Sequence, residues 1–166
     1  TLEVSGNAEN WTNKDVVLTA NVSDGVVEYF DGKNWVAGST LTVSENDLAD
    51  SLRAIAAYDQ KRGCRIPGVH LEGPFIAPEF AGAQNPAYLK QPDLEMVDRL
   101  NAVFPVKKVS YSPELDENFP FLDGLKKRNI MPSAAHTGAD YELFMATADR
   151  GLQHLTHFCN CMTPLH

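Results

Sequence analysis

Ile130-Met131-Pro132-Ser133-Ala134-Ala135-His136 and Leu152-Gln153-His154-Leu155-Thr156-His157, separated by an amphipathic run over 139–149, decide the fold of this chain. Each flanking segment is short, and the run between them has helical spacing, so the unit reads strand–helix–strand. The same texture extends toward the N-terminus. A strand is expected at 65–71, a helix at 93–104, a strand at 106–111 and a helix at 117–128, ahead of strands at 130–135 and 152–158. Alternation at this spacing specifies βαβ units and a parallel sheet. The fold class is therefore α/β, a partial (β/α)8 (TIM-type) barrel segment, with a small open sheet as the alternative. A further helix precedes it. Ser44 is placed to cap that helix, Glu45 and Asp47 suit the positive end of its dipole, and Gly63 would stop it. The connection over 72–92 is long for this class, which marks it as a functional loop.

Residues 1–45 read differently. Val16-Val17-Leu18-Thr19-Ala20-Asn21-Val22, Val26-Val27-Glu28-Tyr29-Phe30 and Thr40-Leu41-Thr42-Val43 are β-branched and aromatic runs separated by Ser23-Asp24-Gly25, Asp31-Gly32 and Ala37-Gly38-Ser39. Antiparallel strands joined by tight turns have this pattern, and Trp11 and Trp35 would fill the space between small sheets. The stretches Trp11–Val16 and Tyr29–Trp35 resemble bacterial immunoglobulin-like repeats of surface proteins. That resemblance implies a spacer or interaction module at the cell surface and no chemistry. Two domains are expected: a β-rich one over 1–45 and a partial barrel over 46–166.

Charge narrows the partners. Fourteen Lys+Arg stand against 22 Asp+Glu, a net charge of −8, so no basic stripe exists to neutralise nucleic-acid phosphates or an anionic membrane. With 43% apolar residues the chain can bury an ordinary core. Its apolar runs fall well short of the roughly 18 residues a membrane span needs. No leader pattern opens the chain, and three cysteines are too few for a disulfide framework, so a reduced, cytoplasmic compartment is expected.

In parallel α/β folds functional groups collect where strands end. Here Val69-His70-Leu71 runs into Glu72, the strand at 130–135 runs into His136, and His154-Leu155-Thr156 runs into His157. One carboxylate and two imidazoles then project from one face, a set that suits a divalent cation with a position left open for water or substrate. Any one of the three alone reads better as a capping, surface or hydrogen-bonded residue than as a ligand. Three at equivalent strand ends are harder to dismiss. His70 and His154 lie inside their strands and are expected to be packed or hydrogen-bonded. Cys159 and Cys161 share strand parity with His157, which allows a soft-metal cluster, or buried thiols acting as small apolar groups.

Four motifs carry a second resemblance: His70-Leu71-Glu72-Gly73-Pro74-Phe75-Ile76, Gly82-Ala83-Gln84-Asn85-Pro86, Ser133-Ala134-Ala135-His136-Thr137 and Thr156-His157-Phe158-Cys159-Asn160-Cys161-Met162-Thr163-Pro164-Leu165-His166. In this order they resemble N-acetylglucosamine-6-phosphate deacetylase of the amidohydrolase superfamily, from about residue 41 to residue 166. The resemblance implies that Glu72, His136 and His157 hold a divalent metal, zinc or iron. It implies that Ala83, Gln84, Asn160 and Cys161 contact an amino-sugar phosphate, with Gln84 standing where many members carry His. The implied products are acetate and glucosamine 6-phosphate, and a homo-oligomer is expected because half a barrel leaves open strand edges. The family's catalytic Asp lies on a later strand, beyond His166, so no catalytic base is expected among Glu114, Asp140 and Asp149, and weak or absent turnover by this chain alone. The alternative is a non-enzymatic immunoglobulin-like module carrying a barrel remnant.

Overall fold

Parallel pairing of four strands organises the larger of two compact units, Thr1–Leu41 and Thr42–His166. The computed structural model describes residues 28–30, 35–37, 44–57 and 66–163. In the first unit β1 (Glu28–Phe30) and β2 (Trp35–Ala37) form an antiparallel pair that sets Phe30 opposite Trp35 and Glu28 opposite Ala37. β2 lies between the strands expected at 26–30 and 40–43 and takes in Ala37 of the expected turn. Its strand signal is Trp35-Val36, an aromatic residue beside a β-branched one. The strands expected at 16–22 and 40–43, and Trp11, lie outside the described residues.

The second unit begins with α1 (Glu45–Ala57), and Ser44 caps it as expected. Its hydroxyl accepts from Asp47 N at 3.3 Å while the Asp47 carboxylate accepts from Ser44 N at 3.1 Å, the reciprocal pairing of a capping box. Gly63, the expected stop, lies outside the described residues. There follow β3 (Val69–Glu72), α2 (Leu94–Val103), β4 (Val106–Tyr111), α3 (Pro120–Lys127), β5 (Met131–Ala134), α4 (Tyr141–Arg150) and β6 (His154–Leu155). The strands lie in the order β3-β4-β5-β6, all parallel, and one register line runs Glu72, Ser110, Ser133, His154.

Alternation divides each strand between two faces. One face sends Leu71, Val109, Tyr111 and Ala134 into a core closed by Met96, Val97 and Leu100 of α2 and Phe121, Leu122 and Leu125 of α3. Phe121 meets Phe75 and Tyr111 edge-on, with ring centroids 5.0 and 5.3 Å away. The opposite face carries His70, Glu72, Ser110, Ser133, His154 and Thr156. That division is what places the polar groups together.

Two elements are shorter than their sequence pattern. The helix expected from 117 starts at Pro120, because Asn118 and Phe119 adopt left-handed backbone (φ 63° and 65°) and a residue preceding proline avoids helical conformation. Asp116 supplies the missing cap from a distance, accepting from Phe121 N at 2.8 Å and Leu122 N at 2.9 Å. The strand expected over 152–158 pairs only at His154 and Leu155, since His157, Cys159 and Cys161 all have positive φ and turn the chain away from the sheet. The connection over 72–92 is well packed: Phe75, Ile76 and Ala77 are buried, and two short 3-10 turns, Pro78–Phe80 and Pro86–Tyr88, fold it back.

Candidate metal centre

Glu72 closes β3, His136 follows β5 by two residues, and His157 follows β6 by two. Their ligand atoms meet. Glu72 Oε1 lies 3.2 Å from His136 Nε2 and 3.0 Å from His157 Nε2, and the two Nε2 atoms are 3.2 Å apart. Among the described residues this is the group of His, Cys, Asp or Glu side chains converging as a metal site would. One proton can be shared by one pair of these atoms; a single cation would be shared by all three. Ligand bonds of about 2.0–2.1 Å in a tetrahedron put donor atoms about 3.3 Å apart, close to the spacing seen.

Each imidazole is held. His136 is buried and its Nδ1–H donates to the Phe80 carbonyl at 2.7 Å, which turns Nε2 toward Glu72. His157 is more open, its side chain 29% exposed, and its ring stands edge-on to that of His136 at 4.8 Å. Glu72 is pushed down to about 2, first by the hydrogen bond from His136 and then by His157, against the opposing effect of burial. For His136, burial disfavours protonation. The Glu72 hydrogen bond, the Phe80 carbonyl and the Glu72 charge outweigh it, and its pKa is raised. The carboxylate is thus ionised across the physiological range.

Behind these three residues lies a polar layer. His70 Nε2 contacts Ser110 Oγ at 2.6 Å, Ser110 contacts Thr156 Oγ1 at 2.7 Å, Thr156 contacts Ser133 Oγ at 2.8 Å, and Ser133 contacts His154 Nδ1 at 2.8 Å. Three hydroxyl protons serve four contacts, so the fourth must come from one of the two imidazole nitrogens. The tautomers of His70 and His154 are therefore coupled. Burial and the Lys108 charge hold His70 down to about 4, which keeps it neutral in this chain of bonds. Both histidines are hydrogen-bonded in this layer, as the sequence suggested, with His70 exposed and His154 half-buried.

The remaining candidates sit around the rim. Gln84 is 6% exposed, and its amide donates to the Glu72 carbonyl at 3.1 Å, fixing the backbone beneath that ligand. Ala83 and Asn160 are exposed, and Asn160 N donates to His157 O at 2.9 Å. The Cys161 carbonyl accepts from Thr137 N at 3.1 Å, tying the segment after His157 to the turn after His136. Gly82 has φ +60°, and a Cβ there would lie 2.6 Å from Cys161 Sγ, so the loop approaches this thiol as closely as only glycine permits. The cysteines themselves correct an expectation. Cys159 is exposed and Cys161 partly so, because the chain leaves the sheet before reaching them. The sequence gives no signal for Phe80 or Ser112 and marks Glu114 only as a carboxylate that is not the base; their contacts with the His136 region connect residues 23 to 56 positions apart.

Fold and site together define a segment of a parallel α/β barrel with a carboxylate and two imidazoles gathered at the C-terminal ends of its strands. No family model matches the chain. In sequence and in fold it is similar to the N-acetylglucosamine-6-phosphate deacetylases. It is 38% identical over 143 residues to the N-acetylglucosamine-6-phosphate deacetylase of Bacillus subtilis, covering 82% of this chain and 36% of that enzyme. It is 29% identical over 132 residues to the N-acetylgalactosamine-6-phosphate deacetylase of Escherichia coli O157:H7, covering 77% and 35%. A mutant of the Mycobacterium smegmatis N-acetyl-D-glucosamine-6-phosphate deacetylase, solved in complex with N-acetyl-D-glucosamine-6-phosphate, superposes with a TM-score of 0.67 at 29% identity, over 76% of this chain and 33% of that one. The chain thus spans about a third of the length of the relatives it matches.

Proposed function

We propose that this chain carries the metal centre of a deacetylase acting on N-acetylated hexosamine 6-phosphates, with Glu72, His136 and His157 as ligands of one divalent ion. The observation that carries the reading is the convergence of three ligand atoms within 3.0–3.2 Å from strands β3, β5 and β6. Borderline donors of this kind, two imidazoles and one carboxylate, suit zinc or iron.

When bound, the ion would polarise the acetamide carbonyl and lower the pKa of a water molecule. The chain's own residues hold and orient the site. The low pKa of Glu72 keeps a negative charge on the site, and the Phe80 carbonyl holds the His136 ring in one orientation. The segments bearing Ala83 and Gln84, and Asn160 and Cys161, form the rim against which the sugar phosphate would lie. Water adds to the acetamide carbonyl carbon, the C–N bond breaks, and the amine leaves with a proton, giving acetate and the amino-sugar phosphate. N-Acetylglucosamine 6-phosphate is the substrate most relatives' names give, and the galactosamine relative differs from it at a single sugar carbon. The enzyme works in the cytoplasm on a soluble small molecule and self-associates; light scattering decides the latter.

Protein purified without chelator is expected to contain about one divalent ion per chain by inductively coupled plasma analysis, lost in Glu72→Gln and His136→Ala. Absence of stoichiometric metal from the unaltered protein, also after incubation with zinc or iron(II), would overturn the reading.

A further inference from the structure

We propose that Ser112 and Glu114, just beyond the end of β4, are positioning residues for the cation site. β4 contributes no ligand of its own, yet these two side chains grip the backbone on both sides of the His136–Thr137 junction. The proposal rests on the reading of Glu72, His136 and His157 as metal ligands.

Ser112 is fully buried and stands between two ligand-bearing segments. Its hydroxyl accepts from Ala77 N at 2.6 Å and donates to the His136 carbonyl at 2.6 Å, while its own N–H donates to Phe75 O at 3.0 Å. One side chain therefore joins the loop leaving Glu72 to the peptide group of His136. Glu114 acts on the other side. Its Oε1 accepts from Gly138 N at 2.7 Å and its Oε2 accepts the Thr137 hydroxyl, whose oxygen in turn accepts from Ala139 N at 3.0 Å. The turn gripped this way is also bonded to the segment that follows His157, through Thr137 N to Cys161 O and Thr163 N to Thr137 O, each 3.1 Å. Three ligand-bearing segments thus share one hydrogen-bonded frame, and β4 supplies two of its fastenings.

The frame has a conformational task. His136 holds φ at +49°, a left-handed backbone that a non-glycine residue keeps only where its surroundings over-determine it. The Phe80 carbonyl fixes the ring but leaves the main chain free to relax. Ser112 and Glu114 hold the peptide groups themselves. A ligand atom must be kept within about 0.5 Å of its productive place, so relaxation of this turn is expected to reach the cation.

Cobalt(II) titration of the full chain, followed by its visible ligand-field spectrum, tests this. The unaltered protein is expected to bind one Co²⁺ with a low-symmetry spectrum. Ser112→Ala and Glu114→Ala should each bind it about tenfold more weakly, with altered band positions or intensities. Glu114→Gln keeps an acceptor for Gly138 N–H and should recover part of the loss. Thr147→Ala serves as control, because it removes a buried hydroxyl bond to Leu143 O inside α4 and should lower the melting temperature without touching the spectrum. If the Ser112 and Glu114 variants melt earlier but keep the wild-type affinity and spectrum, their role is structural only and the proposal fails. If the unaltered chain binds no Co²⁺, the ligand reading itself fails, and this is seen before any variant is made. Should Ser112→Ala not fold, Glu114→Ala, at an exposed position, decides alone.

Discussion

The two faces of the same four strands are built from different materials. Toward the helices, Leu71, Val109, Tyr111 and Ala134 pack against α2 and α3 in a core of apolar side chains. On the other side Ser110, Ser133 and Thr156 link His70 to His154 through hydroxyls, with Glu72 on the same register line as Ser110 and Ser133. Apolar packing is non-directional and tolerates substitution of similar volume. A buried polar network is directional, and each member left without a partner costs its full desolvation. The first face decides that the sheet exists, and the second decides what its strand ends hold.

The sharpest way to break this comparison is to cut into both faces. Phe121→Ala, on the apolar side, removes a ring in edge-on contact with Phe75 and Tyr111 and should cost about 3–5 kcal/mol in urea unfolding. Thr156→Val, nearly the same size, removes the hydroxyl that Ser110 and Ser133 share and should cost about 1–3 kcal/mol. A neutral Thr156→Val would mean that packing holds both faces. Asp116→Ala leaves the first N–H groups of α3 uncapped and should cost about 1–2 kcal/mol, with Asp116→Asn recovering part. The smallest effect is expected at Tyr111, whose buried hydroxyl finds no partner among the described residues. Tyr111→Phe should be neutral or raise stability by up to about 1 kcal/mol, a change readable in the urea midpoint. A clear loss there would show that the hydroxyl is bonded after all.

Legibility in the sequence follows the same division. The β4 span 106–111 is read without error because Val106, Val109 and Tyr111 sit in a run bounded by Pro105 and Pro113. The convergence of Glu72, His136 and His157 is legible because strand ends can be counted. What escaped is set by tertiary approach or by unmarked backbone. β6 stops early at non-glycine residues in left-handed conformation, for which His157, Cys159 and Cys161 give no local signal. Pro120 did mark the true start of α3, but Asp116 caps it from outside the usual position. Ser112 reads as an ordinary strand-end serine until Ala77 and His136 are brought against it. Gln84 was placed at the substrate by resemblance, and its amide here supports the Glu72 backbone.

Anomalous diffraction at the zinc edge, from crystals of the full chain grown with Zn²⁺, puts the central claim to its most direct test. A single peak is expected about 2.0–2.2 Å from Glu72 Oε1, His136 Nε2 and His157 Nε2 together. A peak on the Cys159 and Cys161 sulfurs instead, or none near Glu72, would contradict the account.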